Sequence, residues 1–338
     1  MARVTVFGGS GFIGRYLVRR LAAEGWQVRV ACRDLELANL LRPSGDIGQI
    51  VPWCCDITQP DHVAAAVNGS DAVVNLVGAL YESGRNTFSN LHISGAQVIA
   101  EAAKAAGIAK MVHVSALGAN EKSSSVYAQT KAAGEKAVKA AFPEAVILRP
   151  SVLFGPEDGF FNLFAGLSRF TMVLPVFGCP MLPKLKSDED GYKLDFYGDG
   201  GTKFQPVYVN DVAKAIVTSL SSADAKGQTY ELAGPTTYSF KQLMEMLLKY
   251  TNRKRLLVPI PFFIAELYAT FLQMLPKPLL TRDQVTLLES DNVMSDGAKG
   301  LADLGIRPTT AESILPTYLG RFRPKGSYDK LSAQRLIS

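Results

Sequence analysis

The sequence predicts an α/β fold: a doubly wound parallel sheet with a smaller, mainly helical C-terminal lobe. Three observations lead there. Short β-type runs alternate with helical periods up to Pro150, a rhythm that builds parallel strands joined by right-handed crossovers. The first run, Val4-Thr5-Val6-Phe7, breaks into glycines at Gly8, Gly11 and Gly14 just as a helical pattern begins. Past Pro150 the alternation stops, and helical periods dominate from Ser239 onwards.

In chain order, the strand-like runs are 3–7, Gln27–Cys32, Gln49–Trp53, Ala72–Leu76, Lys110–Ser115 and Ala145–Leu148. Helical periods lie between them, most clearly the Ala-rich stretch Ser94–Ala106. Residues 175–206 are rich in Gly, Pro and charge and read as a long loop or protruding hairpin. Gln205–Val209 and Gln228–Leu232 read as strands on either side of a helix at Asp211–Leu220. Further helices are expected at Ser239–Tyr250, Pro261–Leu275, Thr281–Leu288 and Ala311–Leu319. The expected division is a sheet domain at 1–155, with strands near 205–235 returning to it. A smaller lobe takes 156–204 and 236–320, and 321–338 forms a basic tail.

At 338 residues, 47% apolar and 20% charged, the composition is that of an ordinary globular protein. The net charge of +5 is unevenly placed. Five basic side chains against Asp329 give the last 18 residues +4 of it. That is no nucleic-acid footprint. The tail reads either as a docking element for an acidic partner or anionic lipid, or as a solvated terminus. Four cysteines without paired spacing and three histidines argue against a metal site, and the thiols are expected reduced. The first strand begins near residue 3, so no signal or transit peptide is expected. No apolar run reaches the roughly 18–20 residues that span a bilayer. The expected location is the cytoplasmic side.

A strand turning through glycines into a helix N-terminus makes a cradle for a pyrophosphate. Gly8 permits the tight turn, Gly11 lets backbone approach the phosphates, and Gly14 allows close helix packing. The aligned N–H groups and the helix dipole face the anion. This context makes the sheet domain Rossmann-type. The second strand ends Cys32-Arg33-Asp34, where a carboxylate would hydrogen-bond the ribose 2′-hydroxyl of NAD. A guanidinium there favours a 2′-phosphate instead, so Arg33 points to NADP(H). Two other readings stand beside it, with Asp34 as the ribose carboxylate or Arg33 as a surface cation. Asp56 and Ile57, after the third strand, are placed to meet the adenine edge and face.

Tyr127 and Lys131 share one helix face at i,i+4 spacing. A phenol with a pKa of about 10 is a poor proton carrier near neutrality. An ammonium one turn away favours the phenolate and makes it a usable acid/base. The same lysine can hold ribose hydroxyls.

These landmarks, with Arg149-Pro150-Ser151 and Val207-Tyr208-Val209-Asn210-Asp211, resemble in order those of the extended short-chain dehydrogenase/reductase family. The resemblance implies a serine hydroxyl after the fifth strand as carbonyl polariser, either Ser115 or a neighbour such as Ser123–Ser125, and adds Ser10, Phe12, Ile13, Val77 and Pro150 to the nucleotide contacts. A narrower resemblance rests on Val112-His113-Val114-Ser115-Ala116-Leu117-Gly118, Ser123–Tyr127 and Lys131-Ala132-Ala133-Gly134-Glu135. These are similar to the NADPH-binding accessory subunits of respiratory complex I, the NADH:ubiquinone oxidoreductase. That group implies a structural NADPH without turnover and partner subunits near the quinone region. In a bacterium it also implies a peripheral place on the cytoplasmic face of the inner membrane. Three departures from the catalytic pattern agree with it. Leu117 stands where a serine is usual, Asn75-Leu76-Val77-Gly78 replaces the usual alanine-rich segment after the fourth strand, and Phe204 stands where nucleotide-sugar enzymes carry a diphosphate-binding arginine.

The run Val258–Leu275 is apolar nearly all round a helix and reads as a core helix, an interface, or an element lying on a membrane surface. Two functions follow. One is a non-catalytic, NADPH-binding accessory subunit. The alternative is a soluble NADP(H)-dependent reductase or epimerase, with Tyr127 as acid/base and Lys131 as its tuner.

Overall fold

The computed structural model describes residues 1–180, 184–188, 191–276 and 278–324. Most of the basic tail, from Lys325 on, and Lys277 lie outside the described residues. The chain divides into two compact units. The first comprises Met1–Ser151, Val209–Ala233 and Met294–Pro308; the second comprises Val152–Tyr208, Gly234–Val293 and Thr309–Ser338. The stretch 294–308, which sequence reading gave to the smaller lobe, thus groups with the sheet unit.

The elements run β1 (Arg3–Phe7), α1 (Phe12–Ala23), β2 (Gln27–Cys32), α2 (Leu35–Asn39), β3 (Ile50–Cys54), α3 (Pro60–Val67) and β4 (Ala72–Asn75). A π-helical turn at Ser89–Ser94 leads into α4 (Gly95–Ala105). Next come β5 (Lys110–Val114), α5 (Val126–Ala141), β6 (Val146–Pro150), β7 (Leu153–Phe154), α6 (Phe160–Phe170), β8 (Val173–Phe177), β9 (Lys184–Asp188), β10 (Gly191–Asp195), β11 (Lys203–Phe204) and β12 (Val207–Tyr208). The chain continues through α7 (Val209–Ser221), β13 (Thr229–Leu232), β14 (Tyr238–Ser239), α8 (Phe240–Thr251), β15 (Leu256–Ile260), α9 (Phe262–Leu272), α10 (Arg282–Leu288) and α11 (Ala311–Leu319).

Seven of these strands form one parallel sheet in the order β13-β6-β5-β4-β1-β2-β3. The order reverses between β1 and β4, and an open α/β sheet binds ligands at such a switch point. Strands covered on both faces need continuous apolar runs, and Val4, Val6, Phe7, Val73 and Val74 are fully buried here. On one face α1 packs against α7, where Arg20 donates to Asn210 Oδ1 at 3.1 Å. Sequence reading needs one correction: the segment 205–209 does not return to this sheet. Its Val207–Tyr208 pair with Leu153–Phe154 of β7, and the backbone turns helical at Val209. Only β13 returns, beside β6.

The second unit is built around aromatic rings. Phe240, fully buried at the start of α8, has Phe160, Phe164, Phe177 and Phe204 within 5.3–5.9 Å, centroid to centroid. Tilted and edge-on packing of this kind adds to simple area burial. Within 175–206, β9 and β10 form an antiparallel hairpin, as the composition suggested. The short strands β7, β8, β11, β14 and β15 of this unit are not expected from the sequence. β8 and β15 pair in parallel, so Val258–Ile260 is extended rather than helical. The Pro residues at 259 and 261 explain why the helix waits until Phe262.

Helix α9 is turned inside out. Its buried residues are Ala265 and Ala269, while Phe263, Leu267 and Phe271 stand 56–65% exposed. Small residues let the helix approach the unit's core, and the large apolar ones face outward.

In the first unit, α5 is tied to the sheet by a buried ion pair. Arg149 of β6 grips Glu135 with two hydrogen bonds, at 2.9 and 2.7 Å, and reaches Glu231 of β13 at 3.5 Å. Glu231 in turn accepts the Ser295 N–H at 2.8 Å. Removing the cation strands two buried carboxylates, which costs about 3 kcal/mol or more. Arg149→Met should therefore lower the unfolding free energy by that amount, read as an earlier urea midpoint at unchanged slope; an unchanged midpoint would contradict the network.

Candidate functional site

The loop after β1 has the shape a pyrophosphate needs. Gly8 adopts φ +76°, which a side chain would strain, and its N–H donates to Ala31 O at 3.0 Å. A Cβ on Gly14 would lie 2.3 Å from Gly9 O, so α1 can start this close only with glycine there. A Cβ on Gly11 would meet only Gly8 O, at 3.2 Å, so the other side of Gly11 is open. No side chain caps α1. Its first N–H groups, at Phe12 and Ile13, are left to an outside acceptor. Val77, after β4, lies over Gly8, with its Cγ2 3.4 Å from a Cβ built there. Ser10 meets the Cys32 thiol at the end of β2, joining the loop to the adenosine end of the site.

At that end the competing readings of Arg33 and Asp34 separate. The Asp34 carboxylate caps α2, accepting from Glu36 and Leu37 N–H at 3.0 and 3.3 Å. The Arg33 guanidinium is exposed and donates to Asn86 Oδ1. Asp56 is turned onto its own loop, accepting from the Thr58 N–H and hydroxyl. Those bonds hold its carboxyl below the usual range, and Arg33 contributes. Ile57 is buried and packs on Gly95 of α4, where a Cβ would be 2.4 Å from Ile57 Cδ1.

The second half of the site is built on α5. Ser125 caps this helix and starts its first turn, so Tyr127 and Lys131 fall on one face. Lys131 is buried, its Nζ 5.9 Å from the Tyr127 ring centroid. Burial drives its pKa down to about 8, against a smaller opposing pull from Glu135. The ammonium faces Gly78, where a Cβ would stand 2.9 Å from Nζ. His92, in the π-helical turn, packs edge-on to Tyr127 at 5.4 Å and stacks on Phe88 at 5.2 Å. Its Nε2 accepts the Ala79 N–H at 3.1 Å, so Nδ1 carries the hydrogen and faces Thr130 Oγ1 at 3.1 Å. Thr130 passes the chain on to Tyr127 O at 3.0 Å. His113 is likewise held by Asn75, whose amide oxygen accepts the Val77 N–H. Burial first, then Lys131, push both imidazoles down to about 3, so both are neutral.

His92, Gly78 and Gly134 were missed by sequence reading. Gly134 had a readable signal, since a glycine inside an Ala-rich helix costs about 1 kcal/mol unless close approach requires it. The structure supplies the reason: a Cβ there would lie 2.0 Å from His92 O. Ser115 is buried, and its Oγ has no hydrogen-bond partner among the described residues. Pro150 is buried at the end of β6, its carbonyl accepting the N–H of buried Leu117 at 2.9 Å. Phe204 belongs to the aromatic core of the second unit, so its position supplies no cation for a diphosphate.

A glycine turn at the switch point and a Tyr–Lys helix define a dinucleotide-binding protein of the extended dehydrogenase type. The chain belongs to the NAD dependent epimerase/dehydratase family, whose model matches residues 4–233. Among its relatives is the NADH dehydrogenase [ubiquinone] 1 alpha subcomplex subunit 9, mitochondrial, of Mus musculus. The two are 36% identical over 310 residues, 91% of this chain and 77% of the mouse protein. A ceramide reductase of Caulobacter vibrioides is 37% identical over 186 residues, 51% of this chain and 53% of its own. The fold matches that of the Thermus thermophilus UDP-glucose 4-epimerase complex with NAD. Its TM-score is 0.65 at 20% identity, covering 95% of this chain and 99% of that one.

The residues fit a nicotinamide dinucleotide. The open side of Gly11 and the uncapped start of α1 suit its pyrophosphate, and buried Lys131 beside side-chain-free Gly78 suits ribose hydroxyls. The lysine also predicts a pH signature. Its folded pKa of about 8 lies below the unfolded value of about 10.4, so the unfolded chain binds more protons between them. Stability without nucleotide should therefore rise from pH 8 to 10.4 relative to Lys131→Met, by about 3 kcal/mol. Parallel pH profiles of urea unfolding for the two proteins would contradict the burial of the ammonium.

Proposed function

We propose that this protein is an accessory subunit of a respiratory NADH:ubiquinone oxidoreductase that holds NADP(H) as a structural ligand. The observation that carries the reading is the similarity to the mouse subunit, which extends over 91% of the chain and so beyond the nucleotide-binding unit. NADP(H) rather than NAD(H) is favoured by Arg33. With the Asp34 carboxylate engaged as a helix cap, the guanidinium is the charged group left to meet the ribose. Arg33, Asp56 and Ile57 would hold the adenosine end, and Gly8 to Gly14 the pyrophosphate. Val77, Pro150, Tyr127 and Lys131 would line the nicotinamide ribose. The nicotinamide, when bound, can carry a hydride, but an anionic sugar-nucleotide substrate would lack one expected partner here, because Phe204 stands in place of the arginine. A ligand that binds only the folded state stabilises by RT ln(1 + [L]/Kd), several kcal/mol for a tight nucleotide.

The exposed Phe263, Leu267 and Phe271 of α9 would meet partner subunits near the quinone region at the membrane. No helix among the described residues is long and apolar enough to cross a bilayer, so the attachment would be peripheral. In a bacterium that surface is the cytoplasmic face of the inner membrane, and the basic tail would add charge to the docking. The second reading, a reductase acting on a small molecule, is favoured by the intact Tyr127–Lys131 pair and by the unpartnered Ser115 Oγ.

Nucleotide released from denatured native protein should be NADPH or NADP⁺, and Arg33→Asp should reduce its retention at least tenfold. Recovery of NAD(H) alone would overturn the cofactor assignment. Tyr127→Phe should leave the assembled complex and its quinone reductase activity nearly unchanged, whereas Gly11→Val should deplete the subunit. Loss of function from Tyr127→Phe with nucleotide still bound would establish the reductase reading instead.

A further inference from the structure

A second surface, built from neither the glycine loop nor α9, lies in the second unit where β8 and β15 begin. The two strands are parallel, so their first residues share one edge. Val173 pairs with Leu256, and the Leu256 N–H donates to Met172 O at 3.0 Å. Helix α6 ends at the same place, because Arg255 Nε donates to Ser168 O at 2.9 Å. Three apolar side chains project from this edge: Phe170 is 86% exposed, Met172 72% and Leu256 66%.

The charged residues within the two segments 169–172 and 253–256 are all cationic. Arg169, Arg253 and Arg255 lie near enough that Arg253 is held below its usual pKa, first by its own desolvation and then by the other two. Among the described residues, none of the three forms an ion pair. Lys254, exposed between two of them, adds another cation. Gathering like charges without carboxylates is unfavourable unless anions arrive from outside. Exposing three large apolar groups at the same spot is unfavourable for a different reason.

One kind of partner relieves both. The phosphates of anionic lipids suit guanidinium forks, and the headgroup–acyl boundary just beneath takes Phe, Met and Leu side chains. We propose that the edge formed by Arg169–Met172 and Arg253–Leu256 docks on an anionic phospholipid surface. The arginines meet lipid phosphates, and Phe170, Met172 and Leu256 enter the interfacial layer. Nucleic acid would match the charge but offers no hydrocarbon, and an acidic protein face lacks the graded boundary. The assignment uses neither the cradle nor any partner subunit, so it stands or falls apart from the function proposed above.

The test is flotation of the full-length, nucleotide-loaded protein with phosphatidylcholine vesicles, with and without phosphatidylglycerol. Binding should require phosphatidylglycerol and weaken with salt. Each cation near such a surface contributes roughly fivefold, so Arg169→Glu should weaken binding by more than tenfold. Phe170→Ser should weaken it by about tenfold. Both side chains are exposed, so the melting temperature and nucleotide content of either variant should match the parent. The proposal fails if the protein does not float, or floats equally with neutral vesicles. It also fails if both variants float like the parent, which would assign binding to the tail or α9. Capture of DNA or an acidic protein, lost in Arg169→Glu but without flotation, would overturn it in favour of that partner.

Discussion

A buried ammonium sets the terms for the nucleotide-binding unit. Lys131 is enclosed by α5, the π-helical turn and the backbone at Gly78, and burial makes its charge expensive. The surroundings are arranged to tolerate it. Both nearby histidines are neutral, with each acceptor nitrogen fixed by a donor from outside the ring. Glu135, one turn along α5, lowers the penalty and is itself held by Arg149. The Arg149–Glu135–Glu231 chain then ties this helix to β6 and β13. A nucleotide hydroxyl at Lys131 would complete the shell, so ligand binding and the stability of this unit are one problem.

Much of this was legible in the residues. Short apolar runs and period-3.6 patterns located the strands and helices of the sheet unit, because both faces of that sheet demand continuous apolar strands. The glycine loop was legible because each glycine has a distinct steric duty, at Gly8 by its φ and at Gly14 by the 2.3 Å approach. Less legible were residues whose role depends on distant partners. His92 acts through Ala79 and Thr130, contacts that no local pattern announces. Val207–Tyr208 read as a sheet strand because two residues of β-type sequence do not say which neighbour they pair with. Val258–Ile260 read as helix because apolar runs of that length suit either state, and the flanking prolines decide it.

The second unit follows another logic. Its aromatic core encloses Phe204, while α9 turns Phe263, Leu267 and Phe271 outward and its alanines inward. The exposed Phe263, Leu267 and Phe271 of α9 are the surface that the proposed function assigns to partner subunits. In the function proposed here, a bound nucleotide would support the fold of the first unit and the second unit would make the attachment. The same family fold can therefore serve turnover or assembly, and the chemistry of particular positions decides between them.

The most direct test of that account is where the native chain resides. Membranes solubilised in mild detergent and separated on a native gel should carry this protein in the band with NADH:quinone oxidoreductase activity, at one copy per complex with its nucleotide. Recovery of the chain only as a free protein, with that complex intact and active without it, would contradict the account.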